Sequence, residues 1–344
     1  MIVRHAVATR KPFRLAGSVS LTFLVVALLS FASTLSFAST SHALVAGDLL
    51  GSVRYHVTDG DSTLLDVAQD NDLGILEISA ANPGVDIWVP GRERLVVLPT
   101  AHLLPEADRR GIVINLAELR LYHFRGDVIE THAIGVGREG FGTPVGATSV
   151  IRKTEKPTWR PTSDTRADRP ELPAVVPPGP DNPLGEHAIY LGWPTYLIHG
   201  TNKPFGVGRR VSRGCIRMYP ASVADLFAKV SPDTPVRVVN EPIKLGWSDG
   251  ELFLEAHPDT DQLEELEATY SFSLKPPPDI RARIVAKAGD AAARINWDVV
   301  ESELIERRGV PVQVTRPASP AVVSSEGQTR QTAEGVPRAF TGLY

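Results

Sequence analysis

The feature that most constrains this chain is a two-residue alternation of apolar side chains that begins just after Arg110. The alternating positions are Ile112, Ile114 and Leu116, and then Leu119, Leu121 and His123. Successive side chains of a strand point to opposite faces of a sheet, so this spacing predicts strands with one buried face. Residues 125–127 read as a hairpin turn before the next apolar run at 128–136. The pattern therefore predicts an antiparallel sheet.

A long loop is predicted to interrupt this sheet. Glycines cluster between residues 135 and 146, and prolines between 157 and 183. A loop of this length inside a compact domain is typical of a lid or a binding loop. The strand pattern returns at 188–191, 196–199 and 235–239. Before the last of these, a helical spacing of i, i+3, i+4 and i+7 joins Val223, Leu226, Phe227 and Val230.

Residues 52–99 form a separate compact pattern. A strand-like start at 55–57, a Gly-Asp turn, helical spacing at Leu64, Leu65 and Ala68, and an apolar strand at 95–98 predict a βααβ unit. This unit resembles a LysM module, a small domain that binds glycans containing N-acetylglucosamine. The alternative is a generic α/β cap that binds no glycan.

The first 43 residues have the three parts of a secretory signal peptide. Four basic residues precede an uncharged apolar run over 15–38, and small-residue cleavage contexts follow at 36–38 and 41–43. An uncleaved membrane anchor is the alternative, because the run is long enough to span a bilayer. In either case the rest of the chain is expected outside the cytoplasm, in the periplasm.

Composition excludes some functions. The net charge of −4 gives no basic footprint of the kind that nucleic-acid binding usually leaves. The single cysteine, Cys215, rules out an internal disulfide and a thiolate zinc cluster. The histidines lack metal-ligand spacing such as His-Glu-x-x-His. We therefore expect no metal, no other cofactor and no nucleic-acid partner.

Cys215 lies in the segment 211–218, and His199 ends the strand pattern at 196–199. A thiol attacks carbonyls as the thiolate, so a catalytic cysteine needs a base or a positive environment. We expect Cys215 in a turn directly before the amphipathic helix, where unpaired N–H groups favour a thiolate. The alternative is a packed cysteine beside a satisfied histidine.

The residues His199-Gly200 and Ser212-Arg213-Gly214-Cys215-Ile216-Arg217 resemble the signature of the L,D-transpeptidase catalytic domain. Further similarity covers roughly residues 110–257, with matching segments at 137–138, 143–146, 157–159, 177–185 and 243–247. The resemblance implies a mainly β chain, with a β-sandwich-like catalytic domain over 108–241, the βααβ unit before it and a helical extension after it. The combination is similar to periplasmic enzymes of Gram-negative bacteria.

The resemblance also implies a two-step acyl transfer. Cys215 would attack the carbonyl at the L-centre of meso-diaminopimelate in a stem tetrapeptide and release D-alanine. His199 would carry the proton, and the Gly200 carbonyl would orient its ring. The acceptor would be a second diaminopimelate, which forms a 3–3 cross-link, or the C-terminal lysine of an outer-membrane lipoprotein. Hydrolysis of the same bonds, or a non-catalytic wall-binding scaffold, remains the alternative.

Four residues are candidates for substrate or oxyanion binding: Ser212, Arg213, Gly214 and Arg217. Arg213 stands where the family usually has histidine. Because a guanidinium cannot act as a base, the base is assigned to His199, and Arg213 would lower the thiol pKa or hold a substrate carboxylate. Arg217 would do the same or form a structural ion pair, and Ser212 would hydrogen-bond within its loop.

The C-terminal part is predicted in two pieces. Residues 242–313 form an extension that is helical over 260–309, with Asp290 as a cap and one apolar face on Ile295, Val299 and Leu304. Residues 314–344 are rich in Ser, Thr, Pro and Gly and are predicted to be disordered.

Overall fold

The computed structural model describes residues 40–43, 47–269, 272–273 and 277–317. Most of the predicted export segment, and the tail from residue 318 onward, lie outside these ranges. Among the described residues, no helix combines the length and apolar character needed to cross a bilayer.

The secondary structure of the described ranges is dominated by strands. The strands are β1 (Thr40–Ala43), β2 (Leu49–Gly51), β3 (Arg54–Asp59), β4 (Arg92–Leu98), β5 (Ala101–Leu103), β6 (Gly111–Asn115), β7 (Arg120–Arg125), β8 (Val128–Gly137), β9 (Gly146–Glu155), β10 (His187–Leu191), β11 (Leu197–His199), β12 (Arg210–Ser212), β13 (Ile216–Met218), β14 (Pro235–Val239), β15 (Ile243–Ser248), β16 (Glu251–Ala256) and β17 (Val312–Gln313). The α-helices are α1 (Leu64–Asp70), α2 (Ile75–Ala81), α3 (Ser163–Asp168), α4 (Pro220–Lys229), α5 (Thr260–Thr269), α6 (Ile280–Ala288) and α7 (Trp297–Glu306). Short 3₁₀ helices lie at Pro204–Gly206 and Gly289–Arg294.

Ten strands form one sheet, in the order β1-β8-β13-β11-β10-β9-β14-β6-β7, with β12 paired to β8 beside this path. Because β7 also pairs with β8, the sheet closes on itself. The predicted hairpin joins these two strands through Gly126 and Asp127, and Gly126 supplies the positive φ that so tight a turn requires. The chain is mainly β with a barrel-like or sandwich-like catalytic fold, as predicted.

Both faces of β6 and β7 are buried. Ile112 and Ile114 face the main core, as their alternation predicts. Val113 and Tyr122 point the other way, yet they are also fully buried in a second apolar cluster with Leu50. The segments that flank the sheet in sequence cover this outer face.

The predicted βααβ unit is present and packs directly on the sheet. Strands β3 and β4 pair antiparallel, and Thr63 caps α1 in a reciprocal capping box with Asp66. Helices α1 and α2 share one apolar core with the sheet. At their junction Arg120 of β7 forms a buried ion pair with Glu77 of α2 at 2.8 Å. The unit and the catalytic sheet are therefore one packed body.

The C-terminal extension departs from the prediction in its details. It contains a three-stranded sheet, β15-β16-β17, and its helical part consists of separate helices. Gly289, with φ of 52°, ends α6, so Asp290 lies inside a 3₁₀ turn and caps nothing. Ile295 precedes α7 and forms a bridge with Thr315.

The structure also moves two predicted boundaries, the end of the export segment and the start of the disordered tail. Residues 40–43, assigned to the export segment, form β1 and pair in register with β8. At the other end, Val314 and Thr315 are buried, and the Thr315 hydroxyl accepts a hydrogen bond from Leu252 N–H at 2.9 Å. The predicted disordered tail therefore starts too early, because Val314 packs into the apolar core of the C-terminal extension.

The long loop between β9 and β10 forms a lobe with a closed neck. The Asn182 side chain, which is fully buried, donates to the Pro157 carbonyl at 2.7 Å and accepts from Leu184 N–H at 2.9 Å. Trp159 and Val176 form a backbone bridge just beyond it. The lobe, defined here as residues 157–182, carries α3.

Candidate active site

Strand pairing brings the candidate catalytic residues to one face of the sheet. Strands β11 and β13 are parallel neighbours, with His199 opposite Arg217. Paired residues point to the same face, and so do residues two apart on one strand. Cys215 directly precedes β13, two residues before Arg217, and its thiol accepts a hydrogen bond from the backbone of Leu197 on β11. The sixteen-residue separation in sequence becomes adjacency in the sheet.

The loop that carries Cys215 is fixed by hydrogen bonds of Ser212. The Ser212 hydroxyl donates to the Cys215 carbonyl at 2.6 Å and accepts from Gly214 N–H at 3.1 Å. This hydroxyl is buried and engaged, so it braces the loop. Gly214 has φ of 100°, and a Cβ there would lie 2.6 Å from the Tyr196 ring. Only glycine fits this turn without strain.

The thiol does not sit at a helix N-terminus. Strand β13 separates Cys215 from α4, which begins only at Pro220. The prediction of a helix-stabilised thiolate is wrong, because the residues after the cysteine complete the sheet first. Burial raises the pKa of the Cys215 thiol, although a backbone hydrogen bond from Leu197 and the charge of Arg217 act in the opposite direction.

The thiol donates a hydrogen bond to the Thr195 carbonyl at 3.4 Å. Thr195 has φ of 69°, a left-handed conformation that is uncommon for a β-branched residue. Such strain is often found at functional sites. Sequence reasoning missed Thr195, because nothing in its residue type signals this backbone conformation.

His199 is held as a neutral imidazole. Its Nδ1 donates to the Gly200 carbonyl at 2.6 Å, as the resemblance implied. Burial, and secondarily the charge of Arg217, lowers the pKa of His199 to about 3 despite that hydrogen bond. A neutral ring that donates through Nδ1 has its Nε2 lone pair available. His199 can therefore accept a proton at Nε2 at neutral pH.

Arg217 is a half-buried cation beside this pair. Within the described residues it has no ion-pair partner, and its Nε is buried without a hydrogen-bond partner. Its guanidinium approaches Gly206, where a Cβ would lie 3.0 Å from one terminal nitrogen. The structural ion pair that was one alternative for Arg217 is not formed in the described part of the chain, and the residue can bind an anion.

Arg213 is not among the groups that shift the pKa of the Cys215 thiol; the cation that lowers it is Arg217. It points instead to the lobe and forms a close ion pair with Asp168 at the end of α3. Its guanidinium also lies over the Phe141 ring at 3.8 Å. Neither partner was predicted from the sequence, because both contacts join segments far apart in the chain.

Thr143 anchors the loop that carries Cys215 from a third segment. Its hydroxyl donates to the Gly214 carbonyl at 2.8 Å and accepts from Gly137 N–H at 3.2 Å. One signal in the sequence pointed to this residue, since it lies in the segment 143–146 that resembles the family.

One side-chain cluster outside this site has metal-ligating residue types. His102, Glu118 and Glu255 converge in the interior. Lys244 already lies between the two carboxylates, at 2.9 Å from Glu118 and 3.0 Å from Glu255. Burial opposes ionisation of Glu118, but the Lys244 ammonium keeps the pKa of this carboxyl well below its usual range. The ammonium supplies the positive charge that a metal ion would bring.

A cysteine close to a neutral histidine in a closed β sheet is an arrangement found in thiol-dependent enzymes. The family model of the YkuD L,D-transpeptidase catalytic domain matches residues 109–238. The chain belongs to the L,D-transpeptidase family and is an enzyme of this type.

Similar proteins carry the same name. "Probable L,D-transpeptidase YcfS" of Escherichia coli is 38% identical over 282 residues, which cover 78% of this chain and 85% of the relative. "Probable L,D-transpeptidase ErfK/SrfK" of the same organism is 38% identical over 299 residues, or 83% of this chain and 94% of the relative. The NMR structure of the Enterococcus faecium L,D-transpeptidase catalytic domain is 25% identical, covers 39% of this chain and 100% of that chain, and has a TM-score of 0.32.

Proposed function

We propose that this enzyme transfers peptidoglycan stem peptides through a thioester on Cys215. The donor is a stem tetrapeptide, attacked at the L-centre of meso-diaminopimelate, and the leaving group is D-alanine. The observation that carries the proposal is the neutral His199, whose Nδ1 donates to the Gly200 carbonyl and which lies opposite Arg217, two residues after Cys215. A buried thiol with a raised pKa needs such a base.

His199 Nε2 carries the proton in both steps of the transfer. Nε2 takes the thiol proton as Sγ bonds to the carbonyl carbon, and returns it to the amine of D-alanine when the C–N bond breaks. The acceptor amine then attacks the thioester carbonyl and loses a proton to Nε2. Breaking the C–S bond regenerates the thiol with that proton. Arg217, which has no partner in the described residues, binds a carboxylate of the donor.

The acceptor amine belongs to a second diaminopimelate or to the C-terminal lysine of an outer-membrane lipoprotein. Incubation with tetrapeptide muropeptides, with and without a lysine-ended peptide, followed by mass spectrometry, distinguishes the two. We expect D-alanine release together with 3–3 dimers or the peptide adduct, and no product from Cys215→Ala. Free tripeptide without dimers or adduct would show hydrolysis and contradict transfer.

A covalent probe separates an enzyme from a wall-binding scaffold. A carbapenem should acylate the active thiol, so the intact mass of the protein should rise by the mass of the drug. Cys215→Ala, which removes the only cysteine of the chain, is the matched control. A wild-type protein that stays unmodified would favour the scaffold.

We further propose that the βααβ unit binds wall glycan. It exposes apolar and aromatic side chains that its own core does not use, among them Trp88 and Val89 in the loop before β4. Asp86 shapes this loop by accepting from both of their backbone N–H groups, at 2.8 and 2.9 Å. Trp88→Ala should weaken co-sedimentation of the Cys215→Ala protein with sacculi, whereas Val285→Ala, on α6, should not.

A further inference from the structure

Arg213 lies in a stack that joins three segments around the nucleophile loop. Its guanidinium lies over Phe141 at 3.8 Å, and Arg138 approaches the same ring at 4.7 Å. Asp168 reaches Arg213 from the lobe. Two cations thus share one aromatic ring, and among the described residues Asp168 is the carboxylate that pairs with Arg213.

The aromatic contact fixes the orientation of the guanidinium. A ring that covers one face of the guanidinium leaves the N–H groups pointing outward in their own plane, where a carboxylate binds best. Histidine at this position would be charged only at low pH, whereas arginine is charged at every physiological pH. The departure from the family residue therefore places a permanent carboxylate-binding group two residues before Cys215.

The carboxylate that occupies this group is held weakly. The Asp168 side chain is 49% exposed and that of Arg213 is 24% exposed. Ion pairs that solvent reaches contribute little to stability. Hydrogen bonding and charge from Arg213 lower the pKa of Asp168, so it is ionised at neutral pH. The Asn182 hydrogen bonds hold the base of the lobe together. One carboxylate can therefore replace another at Arg213 while the lobe stays folded.

We propose that Arg213 is a specificity residue for a substrate carboxylate, and that Asp168 is an internal competitor that occupies it in the free enzyme. This rests on the proposed function, in which donor and acceptor peptides carry carboxylates beside the reacting groups. An incoming carboxylate displaces Asp168 from Arg213, and the stack on Phe141 keeps the guanidinium in place during the exchange.

The single cysteine allows a test that needs no turnover. Alkylation by iodoacetate and by iodoacetamide compares an anionic with a neutral reagent of similar size at Cys215. In Asp168→Asn the iodoacetate-to-iodoacetamide rate ratio should rise about two- to fivefold, the size expected for a released surface pair. The rise should vanish in the double variant with Arg213→Gln. Asp164→Asn, one turn earlier on the same helix and without an ion pair to Arg213 among the described residues, should leave the ratio unchanged.

Steady-state kinetics then distinguishes two roles of Asp168, which are competition with the substrate for Arg213 and positioning of Arg213. Asp168→Asn should lower KM for the tetrapeptide donor about two- to fivefold with kcat little changed, and Arg213→Gln should raise KM. A rise of KM in Asp168→Asn would show that Asp168 positions Arg213, and would overturn the proposal. An unchanged rate ratio in Asp168→Asn would also overturn it. A protein that shows the predicted ratio but forms no transfer product would contradict the proposed function alone.

Discussion

His199 and Arg217 lie directly opposite each other on the parallel strands β11 and β13. The pairing places the permanent cation of Arg217 beside the His199 imidazole, whose charged form is already disfavoured by burial. Both effects lower the pKa of His199 to about 3. The resting site is therefore a neutral thiol beside a neutral base, and not a thiolate–imidazolium pair.

This neutral resting state predicts a simple pH profile for Cys215. Because burial raises the pKa of the thiol, the rate of alkylation by iodoacetamide should increase continuously from pH 6 to above pH 9, with one ionisation. The measurement is intact-mass kinetics on the wild-type protein. A reactive plateau between pH 5 and 8 would reveal a preformed ion pair and contradict the geometry.

The charge of Arg217 should matter for both the substrate and the thiol. Arg217→Gln removes the cation that lowers the thiol pKa, so the alkylation profile should move to higher pH. Loss of a charge-assisted hydrogen bond to a carboxylate should reduce kcat/KM by roughly tenfold or more. Arg210→Gln is the matched control, since Arg210 pairs with Glu264 on α5. Equal effects of the two variants would argue against a specific role of Arg217.

The buried carboxyl of Glu303, on α7, should make the stability of the folded protein depend on pH. Burial raises its pKa to about 8, and its Oε1 has no hydrogen-bond partner among the residues that the structure describes. A carboxyl with a raised folded pKa stabilises below its unfolded pKa of 4.5, and that stability is lost as pH rises toward 8. One pKa unit corresponds to about 1.4 kcal/mol, so Glu303→Gln should gain roughly 2–4 kcal/mol over wild type across this range.

Thermal unfolding at several pH values measures this difference. The Tm advantage of Glu303→Gln should grow with pH by about 2–4 °C per kcal/mol. Glu301→Gln, an exposed position on the same helix, should show no such trend. A constant difference between Glu303→Gln and wild type would mean that Glu303 stays ionised in the folded protein.

The ion pair between Arg120 and Glu77 should hold the βααβ unit on the sheet. Arg120→Ala leaves a buried carboxylate without its partner, and should destabilise the protein by about 3–5 kcal/mol. Chemical denaturation of the full chain measures this. Arg92→Ala breaks an exposed pair with Asp61 and should change stability by less than about 1 kcal/mol. Similar losses in both variants would contradict a structural role for the buried pair.

The position of strand β1 allows us to predict where a signal peptidase cleaves the chain, if the chain is exported as its sequence predicts. Thr40 to Ala43 pair with β8 from Thr131 to Val128, and cover an edge that would otherwise expose unpaired backbone groups. Cleavage after Ala38 keeps this strand, whereas cleavage after Ala43 removes it. The intact mass of the periplasmic protein should therefore correspond to a chain that begins at Ser39. A start at Leu44, or an uncleaved chain, would overturn this.

The alternating pattern predicted the strands and the hairpin correctly, because both depend on neighbouring residues. It did not predict that Val113 and Tyr122 would be buried as well, since the residues that cover them come from outside the sheet. The helix after Cys215 was placed too early, because Ile216–Met218 is too short to show a periodicity and takes its conformation from β8 and β11. The prediction also merged α6 and α7, which Gly289 and a short 3₁₀ helix separate.

The sequence by itself determined the reactive groups of this protein: one cysteine, a histidine at the end of a strand, and the motif around them. These groups belong to the covalent structure of the chain, and the chemistry of a thiol and an imidazole follows from them. The tertiary structure alone decided their ionisation and their partners. Burial and the opposite placement of Arg217 make His199 a neutral base, and Asp168, 45 residues before Arg213, engages that arginine through the lobe. Desolvation and charge pairing depend on distances between segments remote in the chain, and no local pattern encodes those distances.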